Sequence, residues 1–202
     1  FLQKVFGLTV IAVTGSAGKT STKEMIAGIL KRKGATTISF ANIDPVYNIP
    51  TTILSAKPWT KYLVLEMGVE YPGEMDFYLW LATPQIGVAT NIYPTHTLFL
   101  KDIEGVAKEK RKLTDFLKEN DFAILNSENR YTKEFGTTTK ARVVWFGNQG
   151  EIKAIDSTIN KDLNTRYTLK VGSSKISILL PILGKQFIQN SLAAASVGYA
   201  LG

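Results

Sequence analysis

The feature that constrains this chain most is an apolar, β-branched run that breaks into a glycine-bracketed turn ending in Gly-Lys-Thr: residues 9–22 read TVIAVTGSAGKTST. Val10 to Val13 suit a buried strand of a parallel sheet, where both faces are covered. Gly15 and Gly18 let the backbone turn sharply and bring N–H groups close to an anion. Lys19 can reach terminal phosphates, Thr20 can offer a hydroxyl to Mg2+, and the helix that follows points its positive end at both. The general phosphate-loop pattern wants a glycine five residues ahead of the Gly of Gly-Lys. Val13 stands there, so the motif is a variant, GSAGKT preceded by Thr14.

Downstream the pattern alternates. Ser21 to Lys33 is predicted to be an amphipathic helix with Met25, Ile26, Ile29 and Leu30 on one face, stopped by Gly34 after three basic residues. Tyr62 to Met67, Ile86 to Thr90 and Phe122 to Leu125 are short apolar runs of the buried-strand kind, separated by helical stretches at about 73–82 and 103–118. From about Lys140 the texture changes: Arg142 to Phe146, Tyr167 to Val171 and Lys175 to Leu180 are divided by Gly, Asn and Ser turns. The alternation across Tyr167 to Val171 suggests a half-exposed antiparallel sheet, with Gly172-Ser173-Ser174 as a hairpin connection. An alanine-rich helix is predicted from Lys185 to Leu201. The fold class is therefore α/β: a P-loop-containing parallel sheet flanked by helices, with a smaller antiparallel β subregion near the C-terminal third.

The 202 residues suffice for one well-buried domain, taken as residues 1–202. No apolar stretch approaches membrane-spanning length, and no basic region precedes an apolar secretory core. The absence of cysteine excludes disulfides and thiolate metal sites and agrees with a cytoplasmic location. A start at Phe1 and a stop at Gly202 just after a helical stretch lead us to expect a segment of a longer polypeptide. The net charge of +7 comes from scattered lysines, and Lys108, Lys110, Arg111 and Lys112 fall in a helical pattern whose default is a solvated face, so no nucleic-acid partner is expected.

Three further places could carry chemistry. Glu66 ends an apolar run, and a carboxylate at the C-terminal tip of a parallel strand beside a phosphate loop is well placed to help hold Mg2+. His96, the single histidine, follows another strand end and belongs to the same edge of the sheet as Lys19 and Glu66. Asn42, Asn48 and Pro50 are expected in the loop after the second apolar run, as ordinary turn formers. One histidine and no cysteine leave little basis for a Ser-His-Asp triad or a zinc site.

Six segments, in one order, resemble the central, ATP-binding domain of the Mur ligases, and most closely the D-alanyl-D-alanine-adding branch. They are TGSAGKTSTKEMIAGIL, NIPTTIL, LVLEMGVEYPGEMD, PQIGVATNIYPTH, GVAKEKRKL and GKQFIQNSLAAASVGYALG. The absent first glycine of the phosphate loop is common in that family. The resemblance implies an ATP-dependent carbon–nitrogen ligase of cell-wall peptidoglycan synthesis, acting through an acyl phosphate with ATP and Mg2+. Its substrates would be a UDP-linked muramoyl peptide and D-alanyl-D-alanine, bound mainly by flanking domains, in a monomeric protein. Nucleotide contacts are implied at Gly15, Ser16, Ala17, Gly18, Lys19, Thr20 and Ser21, with Asn190 at the adenine. Thr20 and Glu66 would hold one Mg2+, and His96 a second, helped by Lys110 as a carbamate; Lys110 rather than Lys108 stands where the family motif has its lysine. Lys19, His96 and Lys110 are thus the implied catalytic set. Two segments depart from the family pattern: Asp44-Pro45 with Asn48, where a paired Asn and a Gly are usual, and Gln186-Phe187, where His-Asn is usual.

Rival readings are another Mur-type ligase or a folylpolyglutamate synthase, and a non-catalytic nucleotide-binding regulatory subunit. Retention of Glu66, His96 and Lys110 speaks against the regulator, which needs only the phosphate grip. A GTPase switch is disfavoured because no Asn-Lys-x-Asp motif occurs.

Overall fold

The computed structural model describes residues 7–40, 43–159, 161 and 163–202. β1 (Thr9–Thr14) is a central strand and is followed by α1 (Lys19–Leu30). Then come β2 (Thr36–Ile38), α2 (Pro45–Ser55), β3 (Tyr62–Glu66), α3 (Glu74–Leu81), β4 (Ile86–Ala89), a short α4 (Thr97–Leu100), α5 (Ile103–Phe116) and β5 (Phe122–Asn126). The chain continues through α6 (Arg130–Thr138), β6 (Arg142–Phe146), β7 (Ile152–Ile159), β8 (Thr165–Val171), β9 (Ser174–Leu180) and α7 (Gln186–Ala200). One sheet runs β2-β3-β1-β4-β5-β6-β7-β8-β9. Its members from β2 to β6 pair in parallel, and β7, β8 and β9 pair antiparallel.

The continuous apolar run of β1 is explained by burial on both faces. Val10 and Ala12 belong to one core, with Leu63, Leu65, Met75 and Leu113; Ile11 and Val13 belong to the other, with Ile26, Leu30, Leu192 and Val197. The strands after β1 lie on opposite sides of it, β3 on one and β4 on the other. This reversal opens a crevice at the C-terminal end of β1, where ligands bind in such sheets.

The expected architecture holds, with corrections in detail. Arg142 to Phe146, grouped by sequence with the antiparallel region, pairs in parallel with β5 in the register Phe122↔Arg142. The antiparallel part is β7–β9, joined to β6 only at Phe146↔Ile152, and its hairpin turns at Gly172-Ser173 with Gly172 at φ 57°. Asn48 and Pro50 are not in a loop: they lie inside α2, where Asp44 caps by accepting from Val46 N–H (2.9 Å) and Pro45 opens the first turn. Asn48 is buried and ties this helix to the exit of β2, accepting from Phe40 N–H (3.0 Å) and donating to Phe40 O (2.7 Å). Asn42 lies outside the described residues. Helix α1 ends at Leu30, ahead of the three basic residues, and Gly34 closes the turn by donating to Leu30 O (3.0 Å) without a positive φ.

Candidate functional site

The phosphate loop spans the exit of β1 and the start of α1. Gly15 and Gly18 adopt φ 143° and 79°, and a side chain at either would collide with Thr90 or Asn190. Glycine at both positions is thus demanded by conformation and by close approach. The loop is braced from the exit of β4. Ser16 N–H donates to Asn91 O (2.8 Å), Ala17 N–H to Asn91 Oδ1 (2.9 Å), and Thr90 Oγ1 to Ala17 O (2.7 Å). Ser16 Oγ donates to Tyr93 O and accepts from Tyr93 N–H, each at 2.9 Å. The amides of Ser16 and Ala17, expected from sequence to face phosphate, are therefore engaged by Asn91. Those of Lys19, Thr20 and Ser21 open α1, where no carbonyl one turn back receives them. Asn91 and Thr90 were missed in the sequence; their signal is only that a polar pair follows a strand of the switch-point crevice.

Lys19 is held beside Glu66 and Glu70, whose charges raise its pKa against a larger lowering by burial. Thr20 Oγ1 donates to Glu66 Oε1 (3.0 Å), so the hydroxyl and carboxylate that sequence paired are in contact at the tip of β3. Glu66 is also fixed from behind. Its N–H donates to Ser39 Oγ (3.0 Å), and Lys23, fully buried, donates to Ser39 O (2.6 Å) with Nζ 3.9 Å from Glu66 Oε2. His96 sits at φ 56° ahead of α4, with Nδ1 3.4 Å from Glu70 Oε1.

Lys110 differs from the solvated-face expectation. It is 1% exposed on the inward face of α5, and burial, with the Lys19 charge as the next cause, lowers its pKa to about 7. Glu109 and Glu74 oppose that shift, so Lys110 shares its surroundings with Lys19 and with the rim of the site. Lys108 instead lines a separate cavity of about 270 Å³ with Phe99 and Lys101.

Two cavities flank the loop. One of about 640 Å³ takes in Gly18, Ser21, Asn91, Asn129, Phe187 and Asn190. The other, about 300 Å³, takes in Lys19, Thr20, Glu66, Glu70, Tyr78 and His96. Gln186 and Phe187, the departure from the family pattern, thus line the same cavity as Asn190, whereas Asp44 and Pro45 line the smaller one. Among the described residues no three His, Cys, Asp or Glu side chains form a metal cluster. The oxygen donors of Thr20 and Glu66 do suit Mg2+, which takes few protein ligands and completes its shell with phosphate and water.

A ligase named UDP-N-acetylmuramoyl-tripeptide--D-alanyl-D-alanine ligase, from Buchnera aphidicola subsp. Baizongia pistaciae, is 32% identical over 195 residues, which make up 96% of this chain and 42% of that protein. A crystal structure of MurF from Acinetobacter baumannii superposes with a TM-score of 0.92 at 27% identity, covering 100% of this chain and 44% of that one. The structure of MurF ligase from Thermotoga maritima in complex with ADP does so with a TM-score of 0.87 at 26% identity, covering 100% of this chain and 47% of that one. The chain therefore spans less than half the length of these relatives. The family model described as the Mur ligase middle domain matches residues 13–198, and the chain belongs to the Mur ligase family.

Proposed function

We propose that this chain is the nucleotide-binding unit of an ATP-dependent ligase that joins a UDP-N-acetylmuramoyl-tripeptide carboxylate to the amine of D-alanyl-D-alanine. The observation that carries the reading is the meeting of Lys19, the Thr20–Glu66 pair and the His96–Glu70 pair around one cavity beside the phosphate loop. It is supported by relatives that bear this ligase's name, one of them solved with ADP.

In this reading adenine occupies the larger cavity against Asn190, and the phosphates pass over Gly18 to the first-turn amides of α1 and to Lys19. The carboxylate oxygen forms a bond to the γ-phosphorus as the bond from that phosphorus to the β–γ bridging oxygen breaks, releasing ADP. The amine nitrogen then bonds to the acyl carbon, the carbon–oxygen bond to phosphate breaks, and phosphate leaves while the nitrogen gives up a proton. Thr20 with Glu66, and His96 with a carbamylated Lys110, would hold Mg2+, which would supply the neutralisation that lets a carboxylate approach a triphosphate. Lys19 holds the terminal phosphoryl oxygens through the transfer, in a setting preorganised by Asn91 and Thr90. We assign the sugar-nucleotide and amine sites chiefly to flanking domains, and the protein to the cytoplasm as a monomer.

Isothermal titration with ATP and Mg2+ tests the reading. The wild-type chain binds, and Lys19→Ala removes binding and, in the intact protein, lowers turnover by a factor of about a hundred or more with the far-UV spectrum unchanged. A Lys19→Ala protein that binds ATP like wild type overturns it. Ligation by residues 1–202 alone would overturn the assignment of substrate binding to flanking domains.

A further inference from the structure

Tyr78 is a buried polar group that the reaction scheme above leaves unused. It lies on α3, is 0% exposed, and its hydroxyl is sealed from solvent with no hydrogen-bond partner. A phenol in that condition raises the free energy of the folded protein, and such groups in native structures call for a ligand or a function. The residue lines the smaller cavity, together with Lys19, His96, Asp44, Glu70 and Glu74. Burial first, and then the charges of Glu74, Asp44 and Glu70, push its pKa well up, so it stays a protonated donor.

The placement of the two cavities says what comes to it. With the base in the larger one, the phosphate chain crosses Gly18 and ends at Lys19, so its terminal phosphorus opens into the smaller one. The next occupant of that space is the group that attacks this phosphorus. An attacking carboxylate there meets Asp44, Glu66, Glu70 and Glu74, and an uncharged donor in the wall lowers the cost of bringing it in without adding a charge that competes for metal. We propose that Tyr78 is a substrate-binding residue whose hydroxyl, sealed while the cavity is empty, is uncovered by a small shift of the wall when the acyl substrate enters and donates a hydrogen bond to its carboxylate. The inference rests on the ligase reading above.

The test is Tyr78→Phe in the intact protein, assayed with ATP, UDP-N-acetylmuramoyl-tripeptide and D-alanyl-D-alanine. Loss of a hydrogen bond to a charged group predicts a KM for the tripeptide raised about tenfold or more, with the KM for ATP within about twofold of wild type. The ligand-free variant is expected to melt at the wild-type temperature or above it, because the unpaired hydroxyl is gone, and the tripeptide is expected to raise its melting temperature less than it raises that of wild type. An unchanged tripeptide KM overturns the inference and leaves the hydroxyl to an internal water. A lower melting temperature with both KM values raised also overturns it, in favour of a packing role. A wild-type protein with no tripeptide-dependent turnover fails the ligase reading itself, and the assignment of Tyr78 falls with it.

Discussion

Lys110 shows how far burial changes what a side chain can do. An exposed lysine is almost wholly protonated at neutral pH, but at a pKa of about 7 a large share of the Lys110 amine is neutral and able to react with CO2. The folded value lies below the ordinary lysine value of 10.5, so between about 7 and 10.5 the unfolded chain binds a proton that the folded one does not. Stability therefore rises with pH across that window, and below it the folded state carries the full cost of a buried ammonium. Lys110→Met should accordingly stabilise the protein, freed of nucleotide, metal and bicarbonate, by several kcal/mol at pH 6. The gain should shrink as pH climbs toward 10.5, which denaturant unfolding at a series of pH values will follow. The carbamate itself would appear as the mass of one CO2 on the intact folded protein, lost on acidification or unfolding. That this lysine points inward was not legible from its neighbours: the motif resemblance singles out Lys110 over Lys108, but Lys108, Lys110, Arg111 and Lys112 are alike in charge, and only the packing of α5 shows which of them is buried.

Helix α3 shows what joins elements around the site. Glu109, on α5, is buried and accepts from Gly73 N–H and Met75 N–H, both at 3.0 Å, so it serves the open N-terminus of α3. Lys112 then bridges Glu109 (2.7 Å) to Asp76 (2.6 Å), locking the two helices side by side. Glu109→Ala strands two amides and frees Lys112, and should cost roughly 2–4 kcal/mol in chemical denaturation. Glu109→Gln, which keeps an accepting oxygen, should cost less. The periodicity that marks α3 and α5 as helices could be read directly, but the carboxylate joining them could not, since its partners are backbone groups 34 and 36 residues away. Helix α2 was hidden for another reason: Asn48 and Pro50 are turn formers by propensity, and the Asp44 cap with Pro45 in the first turn outweighs them.

Across the whole molecule, a single sheet joins two unlike regions. The central parallel strands β1, β3 and β4 are buried on both faces, whereas β9 is an edge strand with most of its side chains exposed, and β7 meets β6 at one residue pair. Helix α7 spans the junction on one face, packing Ile188 and Leu192 into a core shared with Phe146, Ile152 and Tyr167, while the Tyr167 hydroxyl bonds to Ser191 (2.6 Å). Hydrogen exchange should therefore find the slowest amides in β1, β3 and β4 and the fastest ladder amides in β9. Equal protection throughout would mean that the sheet opens only as one unit.

Local sequence was enough to specify the α/β class, the glycine-bracketed strand–loop–helix, and the strand-end carboxylate and histidine on the same edge. These depend on apolar periodicity and glycine placement, which act over a few residues. The bracing of Ser16 and Ala17 by Asn91, the inward turn of Lys110, the Glu109 bridge and the sealed hydroxyl of Tyr78 came from packing. Each depends on groups distant in the chain meeting in low-dielectric surroundings, where a missing partner or an added charge costs far more than it does in water.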